Sequence, residues 1–241
     1  MGLEINVARL QGVLRGNTPE ECFQSFVQRV AQRDIALGLL HEYPVLARLL
    51  SNCLVTWVNS SLEFLSRLTA DWGAIRRLLS PDRNPGKLVH VDGNMGDPNR
   101  RGQTVMTARL TSGFQVVYKP RSLAVDVHFH DLLAWLNARG ASPPFRILKI
   151  IYRGSYGWEE SIEPEGCTSP AEIQIFYERQ AAFLALLYAL EATDFHFENL
   201  GAGEHPVLLD LEALFHPRVA GLDLPLIDDP ASSTINYSVL W

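Results

Sequence analysis

The chain reads as an α+β fold, with a helical N-terminal region followed by a core of strands and helices. Three observations predict it. Residues 18 to 80 carry apolar residues at helical spacing. Residues 103 to 110 and 114 to 119 are rich in Val, Thr, Phe and Tyr, and Thr111-Ser112-Gly113 between them is a hairpin signature. Residues 171 to 191 return to a long helical pattern that delivers the chain into Asp194.

Asn17-Thr18-Pro19-Glu20-Glu21 predicts a helix start, with Thr18 as N-cap, Pro19 at the first position and Glu21 at the third. Leu54, Trp57, Val58, Leu62, Leu65 and Leu68 recur at three- and four-residue steps, which predicts one buried helix face. Residues 82 to 86 form a turn-rich break. Gly93 to Gly102 is a Gly-rich turn leading into the hairpin. A helix is expected over 125–139, Ser142-Pro143-Pro144 ends it, and a strand over 146–152 follows. Residues 206 to 210 read as a short buried strand, and Pro225, Asp228, Asp229 and Pro230 mark a polar tail. The expected zones are 1–82 helical, 83–153 strands plus one helix, and 154–241 the segment carrying the polar loops.

The 241 residues suffice for one or two ordinary domains. Apolar residues make up 47% and charged residues 20%, which permits a core and argues against disorder. A net charge of −6 leaves no basic footprint for nucleic acid. Cys22, Cys53 and Cys167 are far apart and show no CxxC pattern, so they read as reduced thiols rather than a disulfide frame or zinc site. The N-terminus lacks the basic start and apolar core of a signal peptide. The longest apolar run, residues 181 to 190, is too short for a membrane span. A cytoplasmic protein is therefore expected.

The chemistry lies in two polar segments and one lysine. Residues 193 to 199 read Thr-Asp-Phe-His-Phe-Glu-Asn, with Asn199 five residues after Asp194. Phosphoryl-transfer enzymes use that step: an Asp contacts the attacking hydroxyl, an Asn holds a metal ion, and a later Asp bridges metal to phosphates. Asp210, with Glu212 two residues on, ends the 206–210 strand and fits the later Asp. Asp-x-His-x-x-Asn also resembles the catalytic loop of lipid kinases, although Asp, His and Asn are common in any loop. Lys119 ends the second hairpin strand before Pro120. It reads either as an exposed strand-end lysine or as the lysine that holds ATP phosphates. The Gly93–Gly102 loop is not a Walker A loop, but its N–H groups could cradle phosphates. Glu178 or Arg179 is expected to pair with Lys119, in the manner of a kinase helix Glu. Arg121 reads either as a phosphate contact or as a surface residue. Glu159 and Glu160 read as solvated acids or as a site for a basic peptide. His128 and His130 form a weak candidate metal pair, because alternate helix residues face apart.

These motifs together resemble one family. Gly96-Asp97-Pro98 to Gly102, Val117-Tyr118-Lys119-Pro120-Arg121, Tyr156-Gly157-Trp158, Phe176-Tyr177-Glu178-Arg179, the 193–199 segment and Asp210-Leu211-Glu212 occur in one order. That order, with residues 42 to 50 upstream, resembles the dehydratase domain of class II lanthipeptide synthetases, the LanM type, over roughly residues 20 to 217. The resemblance implies a lipid-kinase-like core after the helical region. It implies an enzyme that binds a precursor peptide through its leader. Such enzymes phosphorylate its Ser and Thr with ATP and Mg²⁺, then eliminate the phosphate. It assigns Asp194, His196, Lys119 and Asp97 to catalysis. Lys119, Gly96, Gly102, Asn99 and Arg121 go to nucleotide contact, and Asn199, Asp210 and Glu212 to the metal.

Two departures stand out. Asn99 replaces the His of the family's Gly-Asp-x-His loop, and Asn cannot carry a proton near neutral pH. The chain is also several times shorter than such synthetases. The expectation is therefore an incomplete C-terminal lobe and a partner chain supplying that lobe and the cyclase. Two other readings stay open: a non-catalytic subunit that binds leader peptide or a partner, and a stand-alone kinase-like phosphotransferase.

Overall fold

A computed structural model describes residues 2–80, 84–95, 103–162, 166–192, 200–201, 205–211 and 214. It is an α+β structure. The described residues form six helices and a five-stranded antiparallel sheet. They divide into two compact units, up to Glu63 and from Phe64, and the division falls inside one long helix.

The first unit holds α1 (Gly2–Leu10), α2 (Pro19–Val30), α3 (Arg33–Glu42) and the first part of α4 (Pro44–Leu79). Helix α2 starts as its sequence predicts. The Thr18 hydroxyl accepts from the Glu21 N–H at 3.2 Å, and the Glu21 carboxylate accepts from the Thr18 N–H at 3.2 Å. That reciprocal pair satisfies two N–H groups that the first turn leaves without helical partners. The Tyr43 hydroxyl donates to Glu4, tying the chain before α4 back to α1.

Helix α4 corrects one expectation. Leu54, Trp57, Val58, Leu62 and Leu65 are all exposed, and of the predicted face Leu68 alone is buried. Period marks an apolar stripe but does not supply a neighbour to cover it. The buried side of α4 in the second unit runs through Phe64, Leu68, Asp71 and Ile75 instead.

The second unit is built on β1 (Leu88–Met95), β2 (Val105–Leu110), β3 (Gln115–Lys119), β4 (Ile150–Tyr152) and β5 (Gly157–Glu160), in the order β1-β2-β3-β5-β4. Gly93, expected in a turn, lies in β1, where register shifts break the pairing with β2. The β2–β3 hairpin closes at Thr111-Ser112-Gly113 as predicted. Gly113 has φ of 83°, a conformation that costs an L side chain, and its N–H donates to the Leu110 carbonyl at 2.9 Å.

Strand alternation gives the sheet two unlike faces. Val116 and Tyr118 of β3 and Trp158 of β5 are buried with Phe64, Leu68 and Ile75 of α4. Tyr118 pairs with Trp158, and the Phe64 ring meets Tyr118 edge-on at 5.3 Å. Asp71 joins this apolar layer because three donors reach it: Arg153 Nε at 2.7 Å, Tyr156 Oη at 2.8 Å and Trp158 Nε1 at 2.9 Å. The other face carries Lys119 and Glu159.

Helices α5 (Ala124–Ala138) and α6 (Pro170–Ala189) form a second core, in which Phe129, Leu133, Phe183 and Leu187 pack with Leu208 and Leu211. Gly157 allows the chain before α5 to lie close. A Cβ there would sit 2.4 Å from Leu123 Cδ1 and 2.7 Å from the Ile151 carbonyl oxygen. The strand expected over 146–152 shrinks to β4. Upstream of it, side chains take the place of a ladder: Asn137 bonds both the N–H and the carbonyl of Phe145 at 2.8 Å, and His130 Nδ1 accepts from the Leu148 N–H. The 206–210 strand is observed as β7 (Val207–Leu208), paired with β6 (Leu200–Gly201).

Candidate functional site

Lys119 ends β3 on the face away from α4. Its neighbours on β5 are set by register: Val117 pairs with Glu159 and Lys119 with Gly157. Lys119 and Glu159 are therefore diagonal neighbours on one face, close enough for long side chains to meet. Lys119 Nζ lies 2.7 Å from Glu159 Oε2, 3.4 Å from Asp126 Oδ1 and 2.8 Å from the Leu209 carbonyl oxygen. An ammonium has three protons, and three acceptors surround this one.

This geometry settles several sequence readings. Lys119 is buried rather than exposed. Its partners are Glu159 and Asp126, not Glu178 or Arg179. Glu178 accepts from Gln174 Nε2 at 2.9 Å, and Arg179 Nε donates to the Pro144 carbonyl. The places beside Lys119 are taken by Glu159 of the neighbouring strand and Asp126 of α5. Glu159, expected as a solvated acid or a peptide contact, is 4% exposed because it points inward from β5. Glu160, one residue on, faces the other way, toward Arg146 at 4.0 Å. The two candidate histidines separate. The His128 side chain is exposed beside Asp131 at 3.9 Å, while His130 is buried.

Pro120 stops the strand, and the next residue, Arg121, reaches into the same cluster. Its Nη1 lies 2.7 Å from Asp126 Oδ2 and its Nη2 3.2 Å from Asp126 Oδ1, a bidentate fork. Nη2 is also 3.5 Å from Asp210 Oδ1. Asp210 follows β7, with Leu208 and Leu211 anchored in the helical core on either side. The Asp210 side chain is 47% exposed, against 1% for Asp126. Lys119 meets the carbonyl of Leu209 and Arg121 meets Asp210, so the hairpin lysine and the β7 carboxylate share one site. Asp97, Asn99, Gly96, Gly102, Asp194, His196, Asn199 and Glu212 lie outside the described residues.

Two cations thus face three carboxylates. Burial alone would raise the Asp126 carboxyl, but the charges of Lys119 and Arg121 outweigh it and hold Asp126 below the usual carboxylate range. Glu159 goes the other way. Burial pushes it up and the nearby Asp126 charge adds to that, against the attraction of Lys119. His130 is pushed down to about 4, chiefly by burial, with Asp126 opposing and Lys119 adding to the fall. His130 is therefore neutral near pH 7 and keeps Nδ1 as the acceptor for Leu148.

The structure brings Lys119, Arg121 and Asp210, each singled out in the sequence, together with Asp126 and Glu159, which the sequence did not group with them. Glu159 was recoverable from register, given the pairing of β3 with β5. Asp126 sits in the first turn of α5, where an acid reads as ordinary helix-dipole chemistry. Lys119 and Arg121 thus stand together beside Asp210, a carboxylate that solvent reaches. Among the described residues no group of three or more His, Cys, Asp or Glu is arranged to hold a metal ion.

The family described as a domain of unknown function (DUF4135) matches residues 43–240. The lacticin 481/lactococcin biosynthesis protein LcnDR2 of Lactococcus lactis subsp. lactis is 27% identical over 229 residues. That match covers 89% of this chain and 24% of LcnDR2, so the chain spans about a quarter of that relative's length.

Proposed function

The chain belongs to the DUF4135 family and is related to the class II lanthipeptide synthetases; from that premise we propose that it forms the nucleotide-binding part of a lanthipeptide dehydratase. Such an enzyme phosphorylates Ser and Thr of a precursor peptide before eliminating phosphate. The observation that carries this reading is Lys119. It is a strand-end lysine clamped by two buried carboxylates beside the half-exposed Asp210. Phosphoryl transfer is catalysed mainly by position and charge, and a fixed lysine next to a metal-ligating carboxylate is what that chemistry requires.

In this reading Lys119 and Arg121 hold the polyphosphate of ATP, and Asp210 ligates Mg²⁺ with Asn199 and Glu212. Mg²⁺ would neutralise charge on the phosphates. Gly96, Asn99 and Gly102 belong to the loop over the phosphates, and Asp97 supports the transfer. Asp194 accepts the proton of the Ser or Thr hydroxyl, and His196 steadies the developing charge. The precursor peptide is the substrate, in keeping with the biosynthetic name of LcnDR2. A chain carrying the remaining lobe and cyclase is the proposed partner, and the cytoplasm the proposed location. Among the described residues no helix is long and apolar enough to cross a membrane.

The test is nucleotide binding. ATP with Mg²⁺ should raise the melting temperature, because a ligand that binds the native state stabilises it by mass action. Asp210→Asn should shrink that rise. Equal rises in the two proteins would remove Asp210 from the site. No rise at all, together with retained affinity for precursor peptide, would favour a non-catalytic binding subunit.

A further inference from the structure

We infer that the outer edge of β1 takes an extended segment of the precursor peptide as an added strand, and that docking there feeds the peptide's Ser and Thr toward the Lys119 end of the sheet. The inference rests on the peptide-substrate reading above and names the surface where that substrate docks. Among the described residues β1 pairs with β2 alone, so one side of its backbone has no strand partner. Such N–H and C=O groups recruit another extended chain unless the edge is short or defended by Lys or Pro. β1 is the longest strand of the sheet and reads Leu-Val-His-Val-Asp-Gly-Asn-Met, with neither residue. The opposite edge, β4, has three residues. Register shifts at Leu88/His90 and Asp92/Met95 bracket a regular run over His90, Val91 and Asp92, so the added strand is short. Val89 is 63% exposed and Leu88 38%, which puts apolar side chains in reach of water beside that run. An extended peptide with apolar or β-branched residues satisfies the backbone and covers both.

Register ties this edge to the site. Met95 pairs with Val105 and Met106 with Tyr118, so Lys119 stands level with Val105 and with the Met95 end of β1. Strands lie about 4.8 Å apart, which puts a strand outside β1 three spacings, about 14 Å, from β3. Extended chain covers about 3.3 Å per residue, so about four or five residues beyond the docked segment cross that gap. A segment held at His90–Asp92 therefore leaves a Ser or Thr farther along the peptide free to reach the phosphate side. Main-chain hydrogen bonds form with many sequences, which suits a substrate presented at more than one Ser or Thr.

The probe is the synthetic lacticin 481 precursor peptide, after the name of LcnDR2. Fluorescence anisotropy with the full chain measures its affinity, unmodified and with one backbone nitrogen methylated at a time. An added strand turns every second N–H toward β1, so methylation should weaken binding about fivefold at alternate residues of one short run and little between them. Val89→Lys sets a charge beside the edge and should weaken binding about tenfold or more. Its urea midpoint and its Mg²⁺–ATP thermal shift should match wild type, because the Val89 side chain is exposed. Loss without alternation, or full affinity in Val89→Lys, overturns the inference. So does a dimer abolished by Val89→Lys without peptide binding, which gives the edge to a second copy. No peptide binding with the nucleotide shift intact overturns docking at β1 and leaves the nucleotide reading standing. Alternating loss without any nucleotide shift upholds docking at β1 and refutes the nucleotide reading.

Discussion

Replacing Lys119 by Met should cost stability as well as any nucleotide binding, and the two losses should be separable. At an effective dielectric near 20, the attraction of Lys119 to Glu159 at 2.7 Å is about 6 kcal/mol and to Asp126 at 3.4 Å about 5 kcal/mol. Desolvating an ammonium that is 8% exposed offsets much of that. What remains decisive is the state left behind: a buried Glu159 that has lost its lysine, beside a buried Asp126 held by Arg121. Breaking one side of a buried pair costs roughly 3–5 kcal/mol, and that is the loss expected for Lys119→Met near neutral pH.

The variant also carries a pH signature. Burial already raises Glu159, and without Lys119 it rises further. A carboxyl raised in the folded state favours folding at low pH and loses that contribution as pH climbs through its folded pKa. The deficit of Lys119→Met relative to wild type should therefore be larger at about pH 8 than at about pH 5. Glu159→Gln added to Lys119→Met removes the uncompensated charge. It should restore most of the stability and flatten the pH dependence, while Mg²⁺–ATP still produces no thermal shift. Urea unfolding at the two pH values reads the first part, and melting with and without nucleotide reads the second. A loss below about 1 kcal/mol at pH 8, the range of an exposed pair, would show that Lys119 is not paired as described. A full nucleotide shift in Lys119→Met would remove it from the phosphate site.

Two predictions concern stability. Asp71→Ala leaves the buried Trp158 indole N–H without its acceptor and frees Arg153 and Tyr156, so a loss of roughly 3 kcal/mol is expected. Asp71→Asn keeps one acceptor oxygen and should lose less, and equal urea midpoints for wild type and Asp71→Ala would contradict the network. His130 predicts a fall in stability on acidification. Burial holds the folded imidazole at about 4, below its ordinary value of 6.5, so its contribution is complete above pH 6.5 and is lost as pH falls toward 4. A depression of that size corresponds to roughly 3 kcal/mol. His130→Asn can still accept from Leu148 and should flatten that part of the urea-midpoint profile, whereas parallel profiles would rule His130 out.

What the sequence could tell follows from how local each signal is. The Thr18–Glu21 cap and the Thr111-Ser112-Gly113 turn depend on neighbours in the chain, and both were legible. Lys119, Arg121 and Asp210 stood out because a strand-ending Pro and a short buried strand frame them. Their partners did not. Glu159 and Glu160 are adjacent acids of one type, and the pleat alone sends one inward and the other outward. The stripe from Leu54 to Leu65 misled for the same reason: amphipathic spacing is a property of one helix, whereas burial needs a second surface. The strand over 146–152 shrank because Asn137 and His130 supply the hydrogen bonds a ladder would have supplied, from eight and 18 residues upstream of their partners.

The sheet places one buried carboxylate behind each of its faces, and their surroundings separate folding from binding. Asp71, from α4, meets an indole, a phenol and one arginine, in a layer of Phe64, Tyr118 and Trp158. Its bonds close within the helix–sheet packing, and the half-exposed Asp210 lies in none of them. Asp126, from α5, meets two cations that extend past it to Leu209 and Asp210. Tyr118 and Lys119 are consecutive in β3, as are Trp158 and Glu159 in β5, so each strand serves both faces by alternation. The apolar residues fix the strands, and the strands fix where the charges stand. Changes on the α4 face should then act on the fraction folded and leave the affinity of folded protein for Mg²⁺–ATP nearly intact. Changes on the α5 face should alter affinity at matched fraction folded. The alternation of one strand pair is the physical reason that the two effects can be told apart.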